Sequence, residues 1–249
     1  MNTLVRAELR KITTVRLPLI GFAVAAVAAA LTAVAIITTA GRSDNPPLDR
    51  HSLTQAVHGP FAIVAGIALL LGILGIAGEF RHQTITSNLL AAPRRGRLLT
   101  AKVLTHAGLG AMVALSATVV SLAVAVPWLN ARGVPPSDAA ELAKVLAGGV
   151  IAAALFGAAG AGLGALIANQ TAAIAISLVW LLAVEGLLVD ITSKPALHNW
   201  LPGGALDLVS SGDSSAAGVS LLAAAGCAVA YVGAFVAAGA RRLVTRDIT

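Results

Sequence analysis

Six stretches of about 20 mostly apolar residues, separated by short polar connections, decide most of what this chain can become. A helix needs roughly 20 such residues to cross a hydrocarbon core of about 30 Å. The runs lie at about 18–39, 61–77, 103–128, 145–168, 172–189 and 219–240, the second being the shortest. The expected fold is therefore an all-α polytopic membrane protein with six transmembrane helices, a single domain over 1–249. The first run follows a basic segment, as a secretory signal would, but it is longer than the roughly 7–15 residues of a signal core, so it reads as a retained span. Composition agrees: 57% of the chain is hydrophobic and 11% charged, about half the charged share of a soluble domain, and mean hydropathy is +0.88.

In such a chain the net charge of +6 is read by location. Arg6, Arg10, Lys11 and Arg16, then Arg81, Arg94, Arg95, Arg97 and Lys102, then Arg241, Arg242 and Arg246 fall on one set of connections. Arg42, Arg50, Arg132, Lys144 and Lys194 fall on the other. The excess places both termini in the cytoplasm, in keeping with an even number of spans, and gives no reason to expect a nucleic acid partner. Cys227 is the single cysteine, which leaves no internal disulfide and no cysteine-built metal site.

The outer connections, about 40–60, 129–144 and 191–218, are rich in Pro, Gly, Ser and Asp and read as turns with room for short helices. None is long enough for an extracellular domain. On the inner side Asn169, Gln170 and Thr171 form a very tight turn; they match a glycosylation acceptor, but on the cytoplasmic side that match carries no weight. Ahead of the first span, Val5, Leu9 and Ile12 share one helical face while Arg6, Arg10 and Lys11 point elsewhere. Two readings stand: an amphipathic helix on the inner membrane surface, or a basic flank that only sets topology. No repeat joins the two halves.

Chemistry-bearing residues are few. A phosphate loop needs a Lys after Gly, whereas Lys11, Lys102, Lys144 and Lys194 follow Arg, Ala, Ala and Ser. His51, His58, His82, His106 and His198 are scattered over loops and span ends, so no metal site or catalytic group is expected, and His106 reads as an interfacial residue. Glu185 is the one acid within a span, roughly 20 Å into the core by helical rise. It either borders a substrate route with small residues such as Gly72 and Gly75, or relays protons, or accepts hydrogen bonds from a neighbouring helix, or sits protonated. Gly157, Gly160 and Gly164 form a close-packing stripe for another helix.

Between spans two and three lies GEFRHQTITSNLLAAPRRGRLLTAK, 78–102. Phe80, Ile85 and Leu89 recur at helical spacing, so a short amphipathic helix is expected over Glu79 to Leu90. Pro93 stops it, and Arg94, Arg95 and Gly96 make the turn before Leu98. An ordinary positive-inside loop would explain the arginines but not the helix, the proline or Glu79.

This stretch resembles the segment that ends span two and enters span three in permease subunits of type 2 ATP-binding-cassette transporters. Glu79, Thr84, Leu89, Pro93, Arg94, Arg95, Leu99 and Lys102 carry the resemblance, and LGALIANQTAAIAISLVWLLAVEGLL with LPGGAL after it resembles actinobacterial members. The resemblance implies a bacterial plasma-membrane permease half that dimerises with itself or a sibling and binds two separate ATPase subunits, which hold the ATP and Mg2+. The chain itself then needs no cofactor. It further implies that 79–90 is the coupling helix, with Glu79, Phe80, Arg81, His82, Thr84, Arg94 and Arg95 at the ATPase contact. Export by alternating access is the expected activity. A non-transporting membrane anchor or regulatory partner, or an intramembrane enzyme acting on lipid or peptide, are the alternatives. Nothing in the sequence selects a substrate.

Overall fold

In hydrocarbon every peptide N–H and C=O needs an internal partner, so long apolar runs close into helices. The computed structural model of the protein, which describes residues 2–42, 45–83, 95–212 and 219–245, is helical throughout its apolar runs. In chain order the helices are α1 (Asn2–Thr14), α2 (Arg16–Thr39), α3 (Ser52–His58), α4 (Phe61–Arg81), α5 (Arg95–Ala131) and α6 (Ala139–Ile167). Then come α7 (Gln170–Val179), a π-helical turn (Trp180–Val184), α8 (Glu185–Thr192), a 3-10 turn (Pro195–Trp200), α9 (Pro202–Ser211) and α10 (Leu221–Thr245). Among the described residues, six rods are long and apolar enough to cross a membrane: α2, α3 with α4, α5, α6, α7 with α8, and α10. The protein is an all-α polytopic membrane protein.

The rods overrun the apolar runs because helix continues past the lipid boundary wherever it finds packing. The first turn of α5 already contains Arg95 and Gly96, so these two are helical backbone and not the expected turn. Just beyond, Leu98 and Leu99 are buried, and Leu99 packs with Ile76, Ala161 and Leu243. Likewise Glu79, Phe80 and Arg81 do not open a separate helix. They complete α4, where Phe80 packs against the Leu99 cluster, and the His82 N–H still bonds the Gly78 carbonyl at 2.9 Å. Gln83, at φ 56, ends the rod. The remainder of the expected coupling helix, including Thr84, Ile85, Leu89, Pro93 and Arg94, lies outside the described residues.

α6 is the central helix, with α4, α5, α9 and α10 packed around it. Its glycines set how close they come. A Cβ at Gly160 would fall on the Leu69 carbonyl of α4, one at Gly164 would stand 2.9 Å from the Ile73 carbonyl, and one at Gly157 would fall on the His106 carbonyl of α5. Gly72 of α4 returns the contact, since its Cβ would fall on the Gly157 carbonyl. With no hydrophobic effect between helices in lipid, such backbone-to-backbone approach supplies the dispersion contacts that hold them together. Asp138 caps α6 by accepting from the N–H groups of Ala140 (2.7 Å) and Glu141 (3.2 Å). These two bonds hold its exposed carboxyl below its ordinary value. At the far end Ala168, at φ 53, reverses the chain, and Asn169 caps α7 through the Ala172 N–H at 3.0 Å. The tight turn read from Asn169–Thr171 is this reversal and cap.

Outward faces are apolar and bare. Leu19, Ile20, Val27 and Leu31 on α2, Met112 and Val119 on α5, and Leu222 on α10 are all more than half exposed, as side chains against lipid would be. At the end opposite to α1, the His51 ring bonds Glu141 at 3.0 Å and the Ser137 hydroxyl donates to the Arg50 carbonyl at 2.5 Å, fastening α3 to the start of α6.

Candidate functional site

The charges that matter most gather where α1, α4 and α5 meet. α1 is a helix that turns polar side chains, together with Ile12, towards the bundle. Leu9 is 47% exposed, whereas Glu8 is 5% exposed and Lys11 leans inward beside Ile12. The reason is Lys102, the largest fully buried side chain among the described residues, at 1% exposure on α5. Its ammonium donates to Glu8 Oε2 at 3.0 Å and to Glu79 Oε1 at 2.6 Å. Lys11 donates to Glu8 Oε1 and Glu79 Oε1, both at 3.1 Å. Two carboxylates and two ammonium groups from three helices thus compensate one another.

Burying these groups without partners would cost several kcal/mol each; the mutual contacts offset that. Burial works against ionisation of Glu8, but the charges and hydrogen bonds of Lys102 and then Lys11 outweigh it and hold its carboxyl below the ordinary value. In the same way burial disfavours the Lys11 cation, while Glu79 and Glu8 raise it above its ordinary value. Lys11 is nearly half exposed, so its pairs add less than those of Lys102.

One turn along α5, the His106 ring donates from Nδ1 to the Lys102 carbonyl at 2.8 Å; a carbonyl only accepts, so Nδ1 carries a proton. The ring lies across Gly75 of α4, where a Cβ would overlap Nε2. Gly75, His106 and the charge cluster line a cavity of about 690 Å³. Leu71, Leu74, Leu109 and Pro18 line it with apolar side chains, and His82 and Gln170 line it too.

The expected site residues therefore separate. Glu79 turns inward to Lys102 and Lys11. Phe80 is half-buried, while Arg81 and His82 are exposed. Thr84 and Arg94 lie outside the described residues, and Arg95 enters only as backbone of α5. Gly75 borders the cavity, whereas Gly72 is in the packing between α4 and α6.

Glu185 is elsewhere. It is 2% exposed and accepts from Trp180 Nε1 at 2.7 Å, the Gly203 N–H at 2.8 Å and the Gly204 N–H at 3.2 Å. The last two are the free donors at the start of α9, whose flanking residue Leu201 makes no side-chain cap. Glu185 thus caps a helix 18 residues further along the chain, where a carboxylate also meets the positive end of the dipole. Acceptance from a neighbouring helix, one of the readings open at this position, is present in these bonds. LPGGAL follows from it: a Cβ at Gly203 would stand 2.6 Å from Glu185 Oε2, and one at Gly204 would fall on the His198 carbonyl.

Glu8 and the structural role of Lys102 escape a reading that counts cations for topology. The signal is present: Glu8 is the lone acid in the first 40 residues, and Glu79 the lone acid from 50 to 137. A solitary acid amid basic residues at a span end calls for a partner. His106 gives no such signal, because its importance depends on Gly75 lying opposite.

A search of curated proteins gives no match. A family model described as "ABC-2 family transporter protein" matches residues 4–184, from α1 through the π-helical turn. With well over half of the sequence inside that match and six membrane-spanning helices in the fold, the chain belongs to the ABC-2 family of transporter membrane proteins.

Proposed function

We propose that this permease subunit is one half of a dimeric exporter in a bacterial plasma membrane, paired with itself or a sibling and driven through alternating access by two separate ATP-binding-cassette ATPases. Both termini are cytoplasmic in this reading. The ATPase docks at the end of the bundle where α1, α4 and α5 meet. Arg81 and His82, with Thr84, Arg94 and Arg95 of the segment that follows, form the docking surface. Phe80 and Glu79 support it from within.

The observation that carries this reading is the Lys102 cluster. A push delivered to the end of α4 needs a stiff path into the spans, and the buried bonds of Lys102 join α4 to α5 and to α1 at that very end. The test is ATP hydrolysis by the permease reconstituted with its ATPase. Reversing Arg81, Arg94 and Arg95 to Glu is expected to abolish stimulation by the permease, at least tenfold by the coupling of several close charge pairs, while membrane insertion stays intact. Unchanged stimulation in that variant would overturn the docking surface.

A further inference from the structure

Docking α1 by its polar side leaves the opposite face of the helix outside. Arg6 and Arg10, four residues apart, share that face with Thr13, and all three are exposed. Leu9, 47% exposed, borders it. No acid shares it: Glu8 is the one carboxylate of α1, and it is turned inward to Lys11 and Lys102. Arg16, at the start of α2, is exposed as well.

The ion pairs fix the depth at which this face lies. Lys102 immediately precedes the apolar run of span three, Glu79 stands two residues beyond that of span two, and α2 enters its own run at Pro18. Because Glu8 and Lys11 are tied to Lys102 and Glu79, α1 is held where three spans leave the hydrocarbon, which is headgroup level. Val15 and Leu17, 51% and 37% exposed, then run its outer side into Leu19 and Ile20, the first of the bare apolar side chains on α2. Arginines beside an exposed leucine at that depth match a membrane surface, with cations on phosphates and the apolar side chain among the upper acyl carbons. All three cations are Arg, whose fork of donors suits phosphate oxygens.

We propose that the outward face of α1, through Arg6, Arg10 and Arg16, holds the headgroups of anionic phospholipids, with Leu9 set among the upper acyl carbons. A zwitterionic lipid offers the same phosphate with a compensating ammonium, so the site selects headgroups of net negative charge. This goes beyond the permease reading and holds whether or not an ATPase is bound. The ATPase surface proposed above lies on α4 and the segment after it, which leaves this face of α1 to the membrane.

The probe is phosphatidylglycerol with a diazirine high on one acyl chain, at low mole fraction in phosphatidylcholine nanodiscs holding the purified full-length protein. After photolysis, labelled peptides should include α1 around Leu9 and the start of α2. A phosphatidylcholine probe with the same chain should label α1 roughly tenfold less, relative to its labelling of the bare face of α5 around Met112 and Val119. Unlabelled phosphatidylglycerol should compete for the α1 label, whereas glycerol 3-phosphate in solution should not. Arg6→Gln, Arg10→Gln and Arg16→Gln should each weaken α1 labelling by phosphatidylglycerol about fivefold, and Lys at the same positions should restore part of it. Equal labelling of α1 by the two probes, or labelling unmoved by the three Gln changes together, would overturn the inference. Competition by glycerol 3-phosphate would make this a site for soluble phosphates and overturn the lipid assignment. An unlabelled α1 that crosslinks to the ATPase instead would assign the face to that protein. The comparison of the two probes uses wild-type protein, so it decides the matter even if loss of the arginines disturbs insertion. Loss of ATPase stimulation with α1 labelling intact would fall on the exporter reading alone.

Discussion

Removing the Lys102 ammonium would take from the carboxylates of Glu8 and Glu79 the buried cation that bridges them. Breaking a buried ion pair by deleting one partner costs about 3–5 kcal/mol, so Lys102→Met should lower stability by that amount in reversible unfolding in mixed micelles. The triple variant Glu8→Gln, Glu79→Gln, Lys102→Met should recover most of the loss, because it deletes the charges together. A single variant as stable as wild type would show that Lys102 carries no such burden. Legibility at this scale was uneven. Glu185 was conspicuous in the sequence because an acid in an apolar span is costly wherever it sits, yet its role as the cap of α9 depends on a chain reversal that periodicity does not encode. Lys102 was visible only as one more cation near a span end. Its burial follows from two solitary acids, 94 and 23 positions away, converging on it.

Among the elements, α1 shows how polar contacts override an apolar periodicity. Val5, Leu9 and Ile12 do share a helical face, but the docking of the helix is decided by Glu8 and Lys11, and Leu9 is left outside. That makes the docking sensitive to pH, with a sign fixed by the two shifts. The Glu8 carboxyl, held below its ordinary value of 4.5, contributes stability above that value and loses it as pH falls through the lowered one. Lys11, raised above its ordinary 10.5, contributes below that value and loses it as pH rises through the raised one. Spin labels at Ala7→Cys and His82→Cys should therefore report one narrow distance distribution at neutral pH that broadens on strong acidification, and Glu8→Gln should remove the acid transition. A distribution unchanged across the acid range would contradict this. The end of α4 is ambiguous in the sequence for a related reason. Phe80 fits an amphipathic helix on the membrane surface as well as it fits the continuation of a span, and the packing partners Leu99 and Leu243, which favour continuation, come from distant parts of the chain. The glycine stripe of α6 was easier, because in a membrane helix four-residue spacing of small residues has few uses other than close approach.

For the whole molecule, the six spans were legible in outline because hydrocarbon thickness imposes a length on each, and composition alone satisfies it. Packing order was not: nothing local marks 139–167 as the central helix, and its position emerges only from the fit of its glycines against four other helices. The proposed function makes a specific claim, that the end of this bundle where α1, α4 and α5 meet is where an ATPase delivers force. Site-specific photo-crosslinking tests it most directly, with a benzophenone placed at exposed His82 on the junction side or at exposed Asn130 at the opposite end of α5. In cells producing the protein together with a candidate partner ATP-binding-cassette ATPase, position 82 should crosslink to the ATPase and position 130 should not. Crosslinking from position 130, or from neither position while the two proteins are both abundant, would contradict the account.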